Sequence, residues 1–143
     1  MTTRLESISI QLASEFAAAG IDRQRRAVVE ACMQAATRTN LERQEVDAAL
    51  DFFRRRIGDR EALRIHFQAI ATKNDNEYLM RQEEGSDEID RTNLAMFSKA
   101  RAATAFSFAL ADKPEEFHEV LYEAIASSES PSELLLAIRG ALR

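Results

Sequence analysis

With 143 residues, 45% of them apolar and 30% charged, the chain has the size and balance of one folded domain and not of a disordered tail. A lone cysteine excludes an internal disulfide and zinc sites built on paired cysteines, and the first residues, MTTRLESISIQLASEF, lack a secretory signal pattern, so a cytoplasmic setting is expected. The net charge of −5 is uneven: residues 1–73 hold 12 Lys and Arg against 10 Asp and Glu, and residues 74–143 hold 7 against 14, which disfavours nucleic acid as a partner for the whole surface while leaving room for a local basic patch.

Apolar spacing predicts a first helix over Thr3 to Ala19, with Leu5, Ile8, Leu12 and Phe16 on one face and Gly20 ending it in the left-handed conformation. A second helix starts with Asp22 as its cap, turns Val28, Val29, Cys32, Met33 and Ala36 inward, and fades near Arg38. Thr39 and Glu42 have capping-box spacing ahead of a third, whose Val46, Ala49, Leu50, Phe53 and Ile57 form a stripe stopped by Gly58. Asp59 is placed to cap a fourth helix carrying Leu63, Phe67 and Ile70 and ending near Lys73, because Asn74, Asp75 and Asn76 are turn formers. The acidic run QEEGSDEID then precedes a helix starting near Ser86 or Asp87.

That helix, centred on TNLAMFSKARAATAFSFALA, is the expected heart of the fold. Leu94, Met96, Phe97, Phe106, Phe108 and Leu110 point in nearly every helical direction, so other helices must wrap it, and seven alanines allow them to approach closely. A membrane span is rejected, since Lys99 and Arg101 near its middle would each cost about 2.5 to 3.5 kcal/mol on insertion. Asp112 and Glu115 around Pro114 signal the next helix, with Phe117, Val120, Leu121, Ala124 and Ile125 inward, and Ser130, Pro131 and Glu133 open the last, which buries Leu134, Leu135, Ile138 and Leu142. The fold class is therefore all-α, a single-domain bundle (1–143) of six or seven helices around a buried central helix at about 88–111.

Few residues are arranged for chemistry. A carboxylate-bridged metal site needs two Glu-x-x-His segments, and only Glu115 and His118 supply one; no phosphate loop or nucleophile elbow occurs, so no metal, cofactor or catalytic residue is assigned. Cys32 reads as a buried small hydrophobe and His66 as a hydrogen-bonded boundary residue. Arg54, Arg55 and Arg56 suit a helix C-terminus, whereas Arg23, Arg25 and Arg26 crowd a helix start where the dipole disfavours cations, so a negative partner is expected for them: the acidic segment Glu83 to Asp90, or DNA.

Glu115, Glu119 and Glu123 repeat every four residues with His118 and Tyr122 between them. Like charges at this spacing destabilise a helix, so the ridge reads as a docking surface with Tyr122 as an aromatic anchor, joined by Asp87 and Glu88 of the acidic run. The expected function is that of a non-enzymatic protein binding a basic macromolecular partner, as an inhibitor, immunity protein, adaptor or chaperone would. The alternatives are a DNA-binding regulator using Arg23, Arg25 and Arg26, and a small enzyme with a carboxylate site.

Overall fold

The computed structural model describes residues 3–83 and 91–143, and these hold eight α-helices and one 3-10 turn, with no strand. They are α1 (Arg4–Ile8), α2 (Ile10–Ala18), α3 (Ile21–Arg38), α4 (Arg43–Arg55), α5 (Arg60–Glu83), α6 (Arg91–Ala111), the turn Pro114–Glu116, α7 (Phe117–Ala126) and α8 (Pro131–Ala141). The all-α expectation holds. The count exceeds six or seven because Ser9 is extended (φ −155°, ψ 109°) and splits the first helix, its hydroxyl accepting from the Leu12 amide to cap α2.

Several boundaries differ from the expected ones, each for a local reason. Gly20 is not left-handed: at φ −67° and ψ 161° it stands in the N-cap position of α3, and at the end of α2 the Phe16 carbonyl accepts from both the Ala19 amide and the Gln24 side chain. Thr39 turns back, its hydroxyl donating to the Ala35 carbonyl, so Glu42 and not Thr39 precedes α4. That helix ends at Arg55, ahead of Gly58, because Arg56 takes the left-handed conformation (φ 58°) and its amide closes onto the Phe52 carbonyl. Asp59 caps α5 as expected, accepting from the Ala62 amide. No break follows Lys73: Asn74 donates to the Ile70 carbonyl, Asp75 pairs with Arg101, and the helix runs through the turn formers. Asp112 is a left-handed residue (φ 53°) after α6 and not a cap for α7, and Ser130 and Glu133 form no capping box, since Glu133 pairs with Arg38.

Helices α5 and α6 run antiparallel, as the contact pairs Arg60 with Ala111, Phe67 with Phe106, Asp75 with Arg101 and Tyr78 with Phe97 descend along one and rise along the other. The half of α6 nearer its C-terminus is the buried axis: Ala100, Ala102, Ala103, Ala105, Phe106 and Leu110 are inaccessible. Phe106 lies between Phe67 (ring centroids 4.6 Å) and Phe53 (6.3 Å), while the alanines admit α3, α5 and α7. The other half is less covered: Phe97, expected to be buried, is 37% exposed and Leu94 40%, although Asn93 is buried. The expected start of the helix near Ser86 or Asp87 lies outside the described residues.

A second axis is α7, which packs on α1, α3, α6 and α8 and buries Phe117, Val120, Leu121, Ala124 and Ile125. One contiguous cluster of buried side chains takes members from every helix, α1 through α8. Among the described residues no helix is long and apolar enough to cross a membrane.

Candidate functional site

The ridge on α7 lies elsewhere than its spacing implied. Burying α7 on several sides turns Glu123 inward until only 3% of its side chain is exposed, and a carboxylate so placed must be paired. Arg4 reaches it from α1 at 3.1 Å and Arg101 from α6 at 3.1 Å. Arg4 also bonds Glu119 through two guanidinium nitrogens, and its guanidinium stacks 4.2 Å from the centroid of Tyr122. Hydrogen bonding to Glu119 is the main cause that raises the already high pKa of Arg4, so this cation is fixed.

The glutamates therefore do have a structural reason, which corrects the premise that they were left without one: Arg4 and Arg101 neutralise the i, i+4 repulsion and tie α1, α6 and α7 together. Of the ridge, Glu115 is exposed, His118 and Tyr122 are partly exposed, Glu119 keeps 18% of its side chain in solvent, and Glu123 is internal. His118 stands with its Nδ1 3.4 Å from Glu119. Asp87 and Glu88, the other two residues singled out, lie outside the described residues.

The network is continuous with the α5–α6 hairpin. Arg101 spans from Glu123 to Asp75 at 2.8 Å, and its guanidinium sits 5.7 Å from the Phe97 ring centroid, which in turn meets Tyr78 at 5.7 Å. Neither Arg4 nor Arg101 was read as a site residue. The signal for Arg101 was present, since a cation in the middle of an apolar helix calls for a buried anion; for Arg4, in an ordinary polar helix start, there was none.

The arginine cluster of α3 is divided. Arg25 pairs with Asp112 at 2.5 Å, and Asp112 also accepts from Arg56 at 3.0 Å, so one carboxylate between α6 and α7 compensates a cation at the start of α3 and another at the end of α4. Its partner is thus Asp112; the acidic segment proposed for that role lies largely outside the described residues. Arg23 and Arg26 are exposed and make no ion pair among the described residues.

Other reactive groups are placed passively. Cys32 is fully buried, and burial pushes its thiol well above its ordinary range, which keeps it protonated and inert. His66 lies 3.7 Å from Glu45 without a hydrogen bond between them, its ring edge-on to Phe67. An open cleft of about 690 Å³ between the end of α3, the start of α6 and the α7–α8 loop is lined by hydroxyl and amide side chains with Arg38, Lys99 and a single carboxylate, Glu129. A second, of about 360 Å³, holds Asp75 and Glu116 beside Arg64 and Lys113. Among the described residues no group of three or more His, Cys, Asp or Glu side chains could hold a metal ion.

The cluster that stands out is apolar. Leu79 is 57% exposed and Met80 60%, on α5 opposite the open half of α6 that carries Leu94 and Phe97. Ile10, Ile21, Ile57, Ile65 and Leu136 are exposed elsewhere on the surface, whereas Leu79, Met80, Leu94 and Phe97 all belong to the α5–α6 hairpin. No protein-family model matches this chain, and no curated protein or solved structure matches it.

Proposed function

We propose that this chain is a non-enzymatic binding protein for a basic macromolecular partner, acting as an inhibitor, immunity protein, adaptor or chaperone does. The observation that carries the reading is the exposed apolar cluster on the α5–α6 hairpin, set in an acidic part of the sequence: seven carboxylates against three cations between residues 74 and 99. Apolar side chains supply the hold, and the surrounding carboxylates steer a cationic partner. Asp87 and Glu88 fall between α5 and α6 in sequence and are among the seven carboxylates counted. Glu115, His118, Glu119 and Tyr122 contribute through the parts of α7 that remain accessible, and Glu123 contributes indirectly by holding Arg4 and Arg101.

The test is capture of the partner from the native cell, identification by mass spectrometry, and association kinetics with the purified partner. Asp87→Lys with Glu88→Lys should slow association about tenfold or more at low salt and flatten its salt dependence, as charges at an interface rim do. An acidic partner, or a rate indifferent to both salt and charge reversal, would refute the reading. Arg23 and Arg26, exposed and without an ion pair among the described residues, favour the second reading, a nucleic acid partner; that reading requires salt-dependent duplex binding that disappears in Arg23→Gln/Arg26→Gln.

A further inference from the structure

We infer that the open cleft of about 690 Å³ between the end of α3, the start of α6 and the α7–α8 loop binds a small hydroxyl-bearing phosphate ester, a compound of the sugar phosphate class. The inference is independent of the basic-partner reading and goes beyond it.

One wall of the cleft is a stripe of α6 that is core farther along. Thr92, Ala95, Met96 and Lys99 stand at i, i+3, i+4 and i+7 and all line the cleft, whereas the same stripe continued to Ala103 and Phe106 is inaccessible. Thr92, Ala95 and Lys99 bring no bulky apolar group to that wall, so a volume within the range of small-molecule sites stays open. Across it, the end of α3 contributes Arg38, and the α7–α8 loop contributes Ser127 and Ser130.

The existing bonds of the lining side chains sort them into acceptors and donors. Thr37, Thr39 and Ser127 donate their hydroxyl protons to the carbonyls of Met33, Ala35 and Ala124, which leaves oxygen lone pairs for the hydroxyls of a ligand. The charged donors are Lys99 and Arg38. Lys99 is half-buried and makes no ion pair among the described residues. Arg38 donates through Nη2 to Gln34 and Glu133, and its Nε and Nη1 are unengaged among the described residues. Glu133 does not line the cleft and keeps 70% of its side chain in solvent, so its pair with Arg38 is of the weak surface kind that a phosphate displaces. Glu129, the one carboxylate lining the cleft, is exposed and already solvated. A doubly charged group with several acceptor oxygens therefore suits Lys99 and Arg38, and hydroxyls beside it suit the threonines. Among the described residues no aromatic side chain lines the cleft, so a nucleobase has no ring to stack on.

The experiment titrates the full chain by calorimetry with glucose phosphate, glucose, inorganic phosphate, adenosine monophosphate and glutamine. Glucose phosphate should bind at least about tenfold more tightly than glucose or inorganic phosphate, each of which carries one half of the recognised chemistry. Lys99→Gln should lower that affinity at least about tenfold with the unfolding midpoint unchanged, and Lys99→Arg should keep most of it. Arg38→Gln, at an exposed position, serves if Lys99→Gln fails to fold. No binding of glucose phosphate at millimolar concentration, or equal affinity in wild type and the glutamine variants, overturns the site and leaves the basic-partner reading standing. Glucose binding as tightly as its phosphate overturns the role of the charge, and inorganic phosphate binding as tightly overturns the role of the hydroxyls. Tighter binding of adenosine monophosphate overturns the ligand class in favour of a nucleotide. An equal response to glutamine, a zwitterion that meets Lys99 and Glu129 together, overturns the phosphate ester in favour of an amino acid.

Discussion

The two halves of α6 differ in exposure. From Ala100 to Leu110 the helix is largely buried, and its phenylalanine at 106 is inaccessible; toward the other end Leu94 is 40% exposed, and its phenylalanine at 97 is 37% exposed. Arg101 marks the boundary, holding Glu123 on the body side and Asp75 on the hairpin side. An all-round apolar helix must be covered, but nothing in that requirement says the cover has to come from the same chain. Where the fold supplies it, the helix is core; where the fold does not, its apolar side chains stay open to solvent.

The largest effect that tests this contrast is truncation of the two phenylalanines. Phe106→Ala removes a ring stacked against Phe67 and Phe53 in a fully buried site and should cost about 3 to 5 kcal/mol in denaturant unfolding. Phe97→Ala should cost about 1 kcal/mol, since much of that ring is already in water. Similar losses at both positions would mean that the hairpin end of α6 is packed as the body end is.

Next in size is the anion at the boundary. Glu123→Gln leaves Arg101 and Arg4 without the carboxylate that holds them, and breaking a buried pair in this way costs about 3 kcal/mol. Glu119→Gln, whose side chain keeps 18% exposure and shares Arg4 with Glu123, should cost about 1 kcal/mol or less. The two costs can be compared in one urea titration, and a Glu123→Gln variant as stable as wild type would refute the network as the tie between α1, α6 and α7.

Much of the fold was legible because helix punctuation and apolar spacing agree, as at Asp59, Pro131 and the stripe from Phe117 to Ile125. What escaped was set by contacts distant in sequence. Asn74 to Asn76 have turn chemistry, yet a helix partner at Arg101 overrides it; Gly20 invites a left-handed stop, yet the Ala19 amide and the Gln24 side chain both donate to the Phe16 carbonyl and Gly20 caps α3 instead. The i, i+4 glutamates looked purposeless because their cations arrive from residues 4 and 101, over a hundred positions away in one case. The candidate surface was visible as an acidic run, but its apolar part was not, since exposure of Leu79 and Phe97 depends on where the other helices stop.

A smaller effect distinguishes surface ion pairs from the buried one. Arg139 donates to Glu15 at 2.9 and 3.0 Å across α2 and α8, and this hydrogen bonding holds the Glu15 carboxyl below its ordinary range. A carboxyl more acidic in the folded chain than in the unfolded one contributes stability at neutral pH, which is lost as pH falls through the carboxylate range. The unfolding midpoint of Glu15→Gln should therefore lie slightly below that of wild type at pH 7, and the difference should close toward about pH 3 as both side chains become neutral. A gap that widens on acidification would contradict the assigned pair.

The smallest expected effect bears most directly on the contrast between the halves of α6. Leu79→Gln and Met80→Gln replace side chains that are 57% and 60% exposed on α5. Little apolar area returns to water, glutamine is about as good a helix former as leucine or methionine, and no cavity opens, so stability should change by less than about 0.5 kcal/mol for either. A loss above about 1.5 kcal/mol would show that these side chains are covered within the chain, and the cluster would then have no vacancy for a partner. Retained stability together with lower aggregation at high concentration would fit an apolar surface kept for binding.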